Sequence, residues 1–121
     1  MKALIVESKA ELGRIWASHL ERQGIETTLA ANEAEAVTHL RDIEVDVLIV
    51  DLVLDRSNAL AVADFASFRQ PNARVIFVTN TSFFSDGSIF RLYPNACAFI
   101  QADSPPEDIA ALAHHHASKP R

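Results

Sequence analysis

Glycine is scarce: only Gly13, Gly24 and Gly87 occur in 121 residues. None belongs to a glycine-rich loop after a strand, so an enzyme that cradles a nucleotide phosphate on such a loop is disfavoured. No Ser/His/Asp or Cys/His set stands out either, and no enzymatic activity is expected. The lone cysteine, Cys97, forbids an intrachain disulfide and suits a reducing compartment. No apolar run approaches the roughly 20 residues that cross a bilayer. The opening residues, MKALIVES, lack the long apolar stretch and small-residue cleavage site of a signal peptide. The cytoplasm is therefore the expected location, with no membrane partner. Lysine is rare as well, at positions 2, 9 and 119. The formal net charge is −5 and the basic residues are scattered. Nucleic-acid binding needs a concentrated positive face, so it is not expected.

What is present is a strict alternation of apolar runs and helical patterns, with 49% hydrophobic residues. Lys2 to Val6 reads as a strand. Ser8 with Glu11 three residues later reads as a capping box. Leu12, Ile15, Trp16, His19 and Leu20 then mark one helical face, and Gly24 ends the helix. Glu26 to Ala30 is a second strand. Asn32 and Glu35 repeat the capping signal before a helix with Val37, Leu40 and Ile43 inward. Val45 to Val50 is the strongest strand, and its VDVLIV pattern predicts burial on both faces. A third helix is expected from Ala59 to Arg69, with Val62, Phe65 and Phe68 inward. Arg74 to Val78 and Ala96 to Ile100 are further strands. A weaker helix is expected within Ser85 to Leu92. Ser104, Pro105 and Glu107 open a last helix with Ile109, Leu112 and Ala113 inward. Residues 1–117 are read as one domain and 118–121 as a loose tail. Five strands and five helices in alternation predict a doubly wound α/β fold, a parallel sheet covered on both faces.

In such folds, sites form beyond the carboxyl ends of the strands. Glu7 follows the first strand, Asp51 the third, Thr79 and Asn80 the fourth, and Gln101 the fifth. Should Glu7 and Asp51 lie close together, without a metal or lysine, one of them should have a raised pKa.

The order and spacing of ALIVES, DVLIVDLVL, VIFVTN and AFIQADSPPEDIAAL resemble the receiver domains of bacterial response regulators over nearly the whole chain. The resemblance implies a flavodoxin-like five-stranded sheet in the order 2-1-3-4-5. It implies Asp51 as phosphoacceptor, attacking a phosphohistidine to form an acyl phosphate. It implies Mg²⁺ held by Glu7, Asp51 and the backbone carbonyl of Val53. Thr79 matches the hydroxyl that bonds the phosphoryl oxygen. Gln101 stands where that family has a lysine, and Ser8 where it has a second acid. The aromatic switch position falls on Ala98, beside Phe99, and the loop LVLDRSNA lacks the usual proline and glycine. These departures imply weakened metal binding and an altered switch.

The expected function is therefore a stand-alone, degenerate receiver in two-component or phosphorelay signalling, acting through protein–protein contact. A conventional phosphoryl shuttle through Asp51 is the alternative, and a small-molecule binder on a flavodoxin-like fold is a third reading. Expected partners are a histidine kinase or phosphotransfer protein, a downstream protein, and a second copy of the chain. Phe83, Phe84, Phe90 and Tyr93 either anchor that downstream partner or pack beneath a loop. Ser8 has a complete explanation as an N-cap, and β-branched Thr79 suits a strand end in any case. Consecutive His114, His115 and His116 point in different directions on a helix and cannot share one metal. Cys97 reads as a small buried hydrophobe.

Overall fold

The computed structural model describes residues 1–54, 57–79 and 96–118. Along the chain these form β1 (Lys2–Val6), α1 (Ala10–Arg22), β2 (Glu26–Ala30), α2 (Glu33–Asp42) and β3 (Val47–Asp51). There follow α3 (Ala59–Arg69), β4 (Arg74–Thr79), β5 (Ala96–Gln101) and α4 (Pro106–Ala117). The five strands make one parallel sheet in the order β2-β1-β3-β4-β5, the expected doubly wound arrangement. The helix expected within Ser85 to Leu92 lies outside the described residues, as do Asn80, Phe83, Phe84, Phe90 and Tyr93.

The sheet divides the core by residue parity, because successive side chains on a strand point to opposite faces. Leu4, Val6, Leu48, Val50, Val75 and Phe77 face α2 and α3. Ala3, Ile5, Val47, Ile49, Ile76 and Val78 face α1 and α4, where Trp16, Leu20, Ile25 and Ile109 complete the packing. All five residues of β3 are buried, as a run apolar on both parities requires. β5 is an edge strand with a register shift: Val75 pairs with Ala96 but Ile76 with Ala98. Cys97 is the extra residue, half-buried, and its Sγ donates to the Val75 carbonyl at 3.4 Å. Phe99 stacks on Phe77 with ring centroids 5.6 Å apart.

Helix faces differ from the sequence expectation in instructive ways. α1 buries Gly13, Trp16, Ala17 and Leu20, while Ile15 is exposed. The stripe is rotated by about one residue, so that small Gly13 and Ala17 meet the sheet. α2 buries Ala36 and Leu40, and Val37 is only half-buried. α3 buries Ala59, Val62, Ala63 and Ala66. Phe65 is half-buried, and Phe68, expected inward, is 81% exposed. ALAVADFASFR is apolar nearly all round, so periodicity could not select a face. The alanine side allows the closest approach to the sheet. That packing outweighs the roughly 2 kcal/mol lost by leaving one large side chain in water.

Capping was legible at one helix and not at another. Asn32 caps α2 by accepting the Glu35 N–H at 2.9 Å, and Glu35 reaches back to the Ala31 N–H, also at 2.9 Å. Ser8 does not occupy the N-cap of α1. That position is Lys9, with no side-chain cap bond, and the helix starts at Ala10. Just before the helix, the Glu7 Oε1 accepts the Lys9 N–H at 3.0 Å. α4 likewise opens later than expected, with Pro105 at the N-cap and Pro106 at its first position.

α2 and α3 are tied to each other at both ends. At the amino end of the strands, the Gln70 amide donates to the Leu40 and Ile43 carbonyls at 2.8 and 2.6 Å and accepts the Val45 N–H at 2.9 Å. At the carboxyl end, the Glu33 N–H donates to Ser57 Oγ at 3.1 Å, and Glu33 Oε1 accepts the Asn58 N–H at 3.3 Å.

Candidate functional site

Among the described residues, Glu7, Asp51 and Thr79 are the buried polar or charged side chains, at 4%, 8% and 8% exposure. All three stand at the carboxyl edge of the sheet, where burying a polar group is costly unless something satisfies it. Strand register places them. Val6 pairs with Val50, so Glu7 and Asp51 continue side by side from β1 and β3. Asp51 pairs with Val78, and Thr79 with Gln101. The strand-end residues Glu7, Asp51, Thr79 and Gln101 therefore line one edge, in sheet order. Gln101 differs from the others in being exposed.

Local backbone bonding fixes the edge. Glu7 N–H donates to the Ala30 carbonyl at 3.0 Å, which extends the β1–β2 ladder by one residue. Leu52 N–H donates to the Val78 carbonyl at 2.8 Å and does the same for β3. Asp51 Oδ1 accepts the Val53 N–H at 2.8 Å, a turn in which the side chain bonds its own backbone two residues on. The Val53 side chain is left 59% exposed. Across the edge, the Thr79 carbonyl accepts the Ala102 N–H at 2.7 Å.

Glu7 Oε1 is held by the Lys9 N–H, whereas Oε2 is buried and makes no hydrogen bond of ordinary length. The Glu7 carboxyl is pushed up to about 8. Burial is the first cause, and the adjacent Asp51, which favours a proton between the two groups, is the second. The Lys9 amide and charge oppose the shift only in part. Glu7 therefore retains its proton near neutrality. Among the described residues, no lysine or arginine forms an ion pair with either acid.

Among the described residues, no group of three or more His, Cys, Asp or Glu side chains is arranged to hold a metal. The available donors at the edge are two carboxylates and backbone oxygen. That hard oxygen set suits Mg²⁺, which keeps several waters and takes one or two carboxylates. Once the proton shared with Asp51 is lost, the buried Oε2 of Glu7 is an acceptor that a cation would satisfy.

His114, His115 and His116 lie in the last turn of α4, with the His115 and His116 rings edge to face at 5.0 Å. Sequence reasoning missed Gly13, where an added Cβ would meet Glu7 Cβ at 3.6 Å. A glycine inside a helical pattern was the available signal. It also missed Glu33, which no motif marked.

Neither a protein-family model nor a curated protein matches the sequence. Solved structures do match. The non-phosphorylated HemR receiver domain from Leptospira biflexa is 20% identical with a TM-score of 0.87, covering 99% of this chain and 96% of that one. A CheY-like response regulator receiver domain from Methanospirillum hungatei is 22% identical with a TM-score of 0.84, covering 96% and 92%. TrrA, a response regulator from Thermotoga maritima solved with Mg²⁺ and beryllofluoride, is 18% identical with a TM-score of 0.81, covering 94% and 96%. With its 2-1-3-4-5 sheet and its acids at the strand ends, the chain has the fold of response-regulator receiver domains.

Proposed function

We propose that this chain is an atypical signalling receiver whose candidate phosphoacceptor is Asp51 and whose output runs through protein contact. The observation that carries the reading is that the three buried polar or charged residues among the described ones, Glu7, Asp51 and Thr79, all stand at one sheet edge. A core otherwise lined by apolar side chains keeps these groups for a purpose other than packing.

In the proposed chemistry, an Asp51 carboxylate oxygen attacks the phosphorus of a phosphohistidine. The P–N bond breaks, an aspartyl phosphate forms, and histidine leaves with the bonding pair and takes up a proton. The Thr79 hydroxyl donates to a phosphoryl oxygen. Gln101 offers an amide N–H in the same region, without the charge that would roughly double such a bond's strength. Glu7, Asp51 and the Val53 carbonyl would hold Mg²⁺, which neutralises charge on the transferring group. Because Glu7 retains a proton up to about 8, the metal competes with that proton, and binding is weak at neutral pH. Two structural neighbours support the chemistry. A Burkholderia pseudomallei response regulator carries a phosphorylated aspartic acid and a calcium ion, and TrrA carries Mg²⁺ with beryllofluoride. The proposed partners are a histidine kinase or phosphotransfer protein upstream and a protein downstream, the latter through the segment of Phe83, Phe84, Phe90 and Tyr93. The role is that of a signalling module rather than an enzyme with its own turnover. No described helix is long and apolar enough to cross a membrane.

Intact mass after incubation with a small phosphodonor and Mg²⁺ tests the reading. The expected result is a gain of one phosphoryl group that Asp51→Asn abolishes. No gain in the wild-type chain, or an undiminished gain in Asp51→Asn, removes Asp51 as phosphoacceptor.

A further inference from the structure

We infer that the outer face of α3 is a contact surface for a second copy of this chain, with the two α3 helices side by side and parallel. α3 buries Ala59, Val62, Ala63 and Ala66 against the sheet. Its other side carries Ala61, Phe65 and Phe68 at i, i+4 and i+7, which is one stripe of a helix. Phe68 is 81% exposed, the most exposed large hydrophobic among the described residues. Phe65 is only partly buried against the core and so still reaches the surface in the same stripe.

Charge decides what covers this stripe. By helical rotation Asp64 flanks it on one side and Arg69 on the other, and both are exposed. Among the described residues, neither forms an ion pair within the chain. Arg69 donates from Nη2 to the Arg41 carbonyl at 3.0 Å, which anchors the guanidinium and leaves further N–H groups to donate. When two identical helices pack in parallel about a two-fold axis, opposite flanks meet, and a flank residue faces the one five positions on in its neighbour. Asp64 and Arg69 have that spacing. The pair would form twice, Asp64 of each copy with Arg69 of the other. An antiparallel pair would bring like flanks together, Asp64 towards Asp64, and repel. The stripe is thus complementary to itself, which a face built for a different protein need not be. A helix of 11 residues buries less than a standard interface does, so the dimer is weak and forms with rising concentration. The inference stands apart from the phosphoacceptor reading of Asp51.

Sedimentation equilibrium of the full chain, from about 10 µM to about 1 mM, measures the association. The expected dissociation constant is on the order of 100 µM. Phe68→Ala should raise it about tenfold, and because Phe68 lies outside the core the variant should keep its native circular dichroism. Asp64→Arg and Arg69→Asp each place like charges across the contact and should raise it roughly fivefold. The double reversal, Asp64→Arg with Arg69→Asp, should return it to within about twofold of wild type. A chain that stays monomeric at about 1 mM overturns the inference. So does a dimer indifferent to Phe68→Ala, or a double reversal as weak as the single ones.

Discussion

Glu7 and Asp51 leave adjacent strands at the same level of the sheet, because Val6 is paired with Val50. Two acids so placed cannot both ionise cheaply, and the deeper one, Glu7, is pushed up to about 8.

Stability should therefore fall as pH rises. For Glu7 the carboxyl value is 4.5 before folding and about 8 in the folded chain. Between these two, the folded chain holds a proton that the unfolded chain has released. The stabilising contribution is full below the lower value and lost as pH passes the upper one. The slope in the window should be at most about 1.4 kcal/mol per pH unit. Urea denaturation across the window measures it, and Glu7→Gln should flatten the dependence. A wild-type curve that rises through this range contradicts the assignment.

Mg²⁺ should stabilise the chain more in alkaline than in mildly acidic solution. The ion and the Glu7 proton compete for the same carboxyl, so metal binding strengthens as that proton is lost. Thermal melts with and without Mg²⁺, at about pH 6 and about pH 9, check the linkage. In Asp51→Asn the Mg²⁺-induced rise in Tm should largely vanish.

The two described glycines should respond to alanine with opposite signs. At Gly13 the new Cβ makes ordinary contacts, 3.6 Å from Glu7 Cβ and from Leu29 Cδ2. Gly13→Ala should stabilise the helix by about 0.5–1 kcal/mol. At Gly24 the backbone has φ +82°, in the left-handed region. Gly24→Ala should cost about 1 kcal/mol. The two midpoints in a denaturant titration should move apart.

Gln70→Ala should be the most damaging substitution among the polar residues considered. It removes three hydrogen bonds and leaves part-buried backbone groups at Leu40, Ile43 and Val45 unsatisfied. The expected loss is about 2–4 kcal/mol in urea denaturation. Gln70→Glu should not rescue it, since a carboxylate would face two carbonyl oxygens.

The sheet was legible because β1, β3 and β4 sit in its middle, where continuous apolar runs leave only one reading. The edge residues followed from strand ends alone. Helix faces were harder. Trp16 and Leu20 were found in α1, but the exact stripe depended on which small residues meet the sheet. In α3 the phenylalanines misled, because volume decided which face could approach. Ser8 is not the cap of α1, although Ser8 and Glu11 have the spacing of a capping box. Adjacent strand ends predict a raised value at one of the two acids. Which one depended on burial, and so on the fold. Glu33 and Gln70 bridge segments about 25 residues apart or more, a range at which local periodicity is silent.

Trp16, the chain's one tryptophan, is 1% exposed and packed on the α1/α4 side of the sheet. Its emission should be blue-shifted in the native state and move red on melting, giving a label-free optical gauge of unfolding. The Glu33 tie lies across the sheet from that indole. Rearrangements confined to the α2/α3 side should leave the fluorescence nearly unchanged, whereas a change at Glu7, whose Cβ adjoins Gly13 of α1 on the indole's own side of the sheet, should register in it.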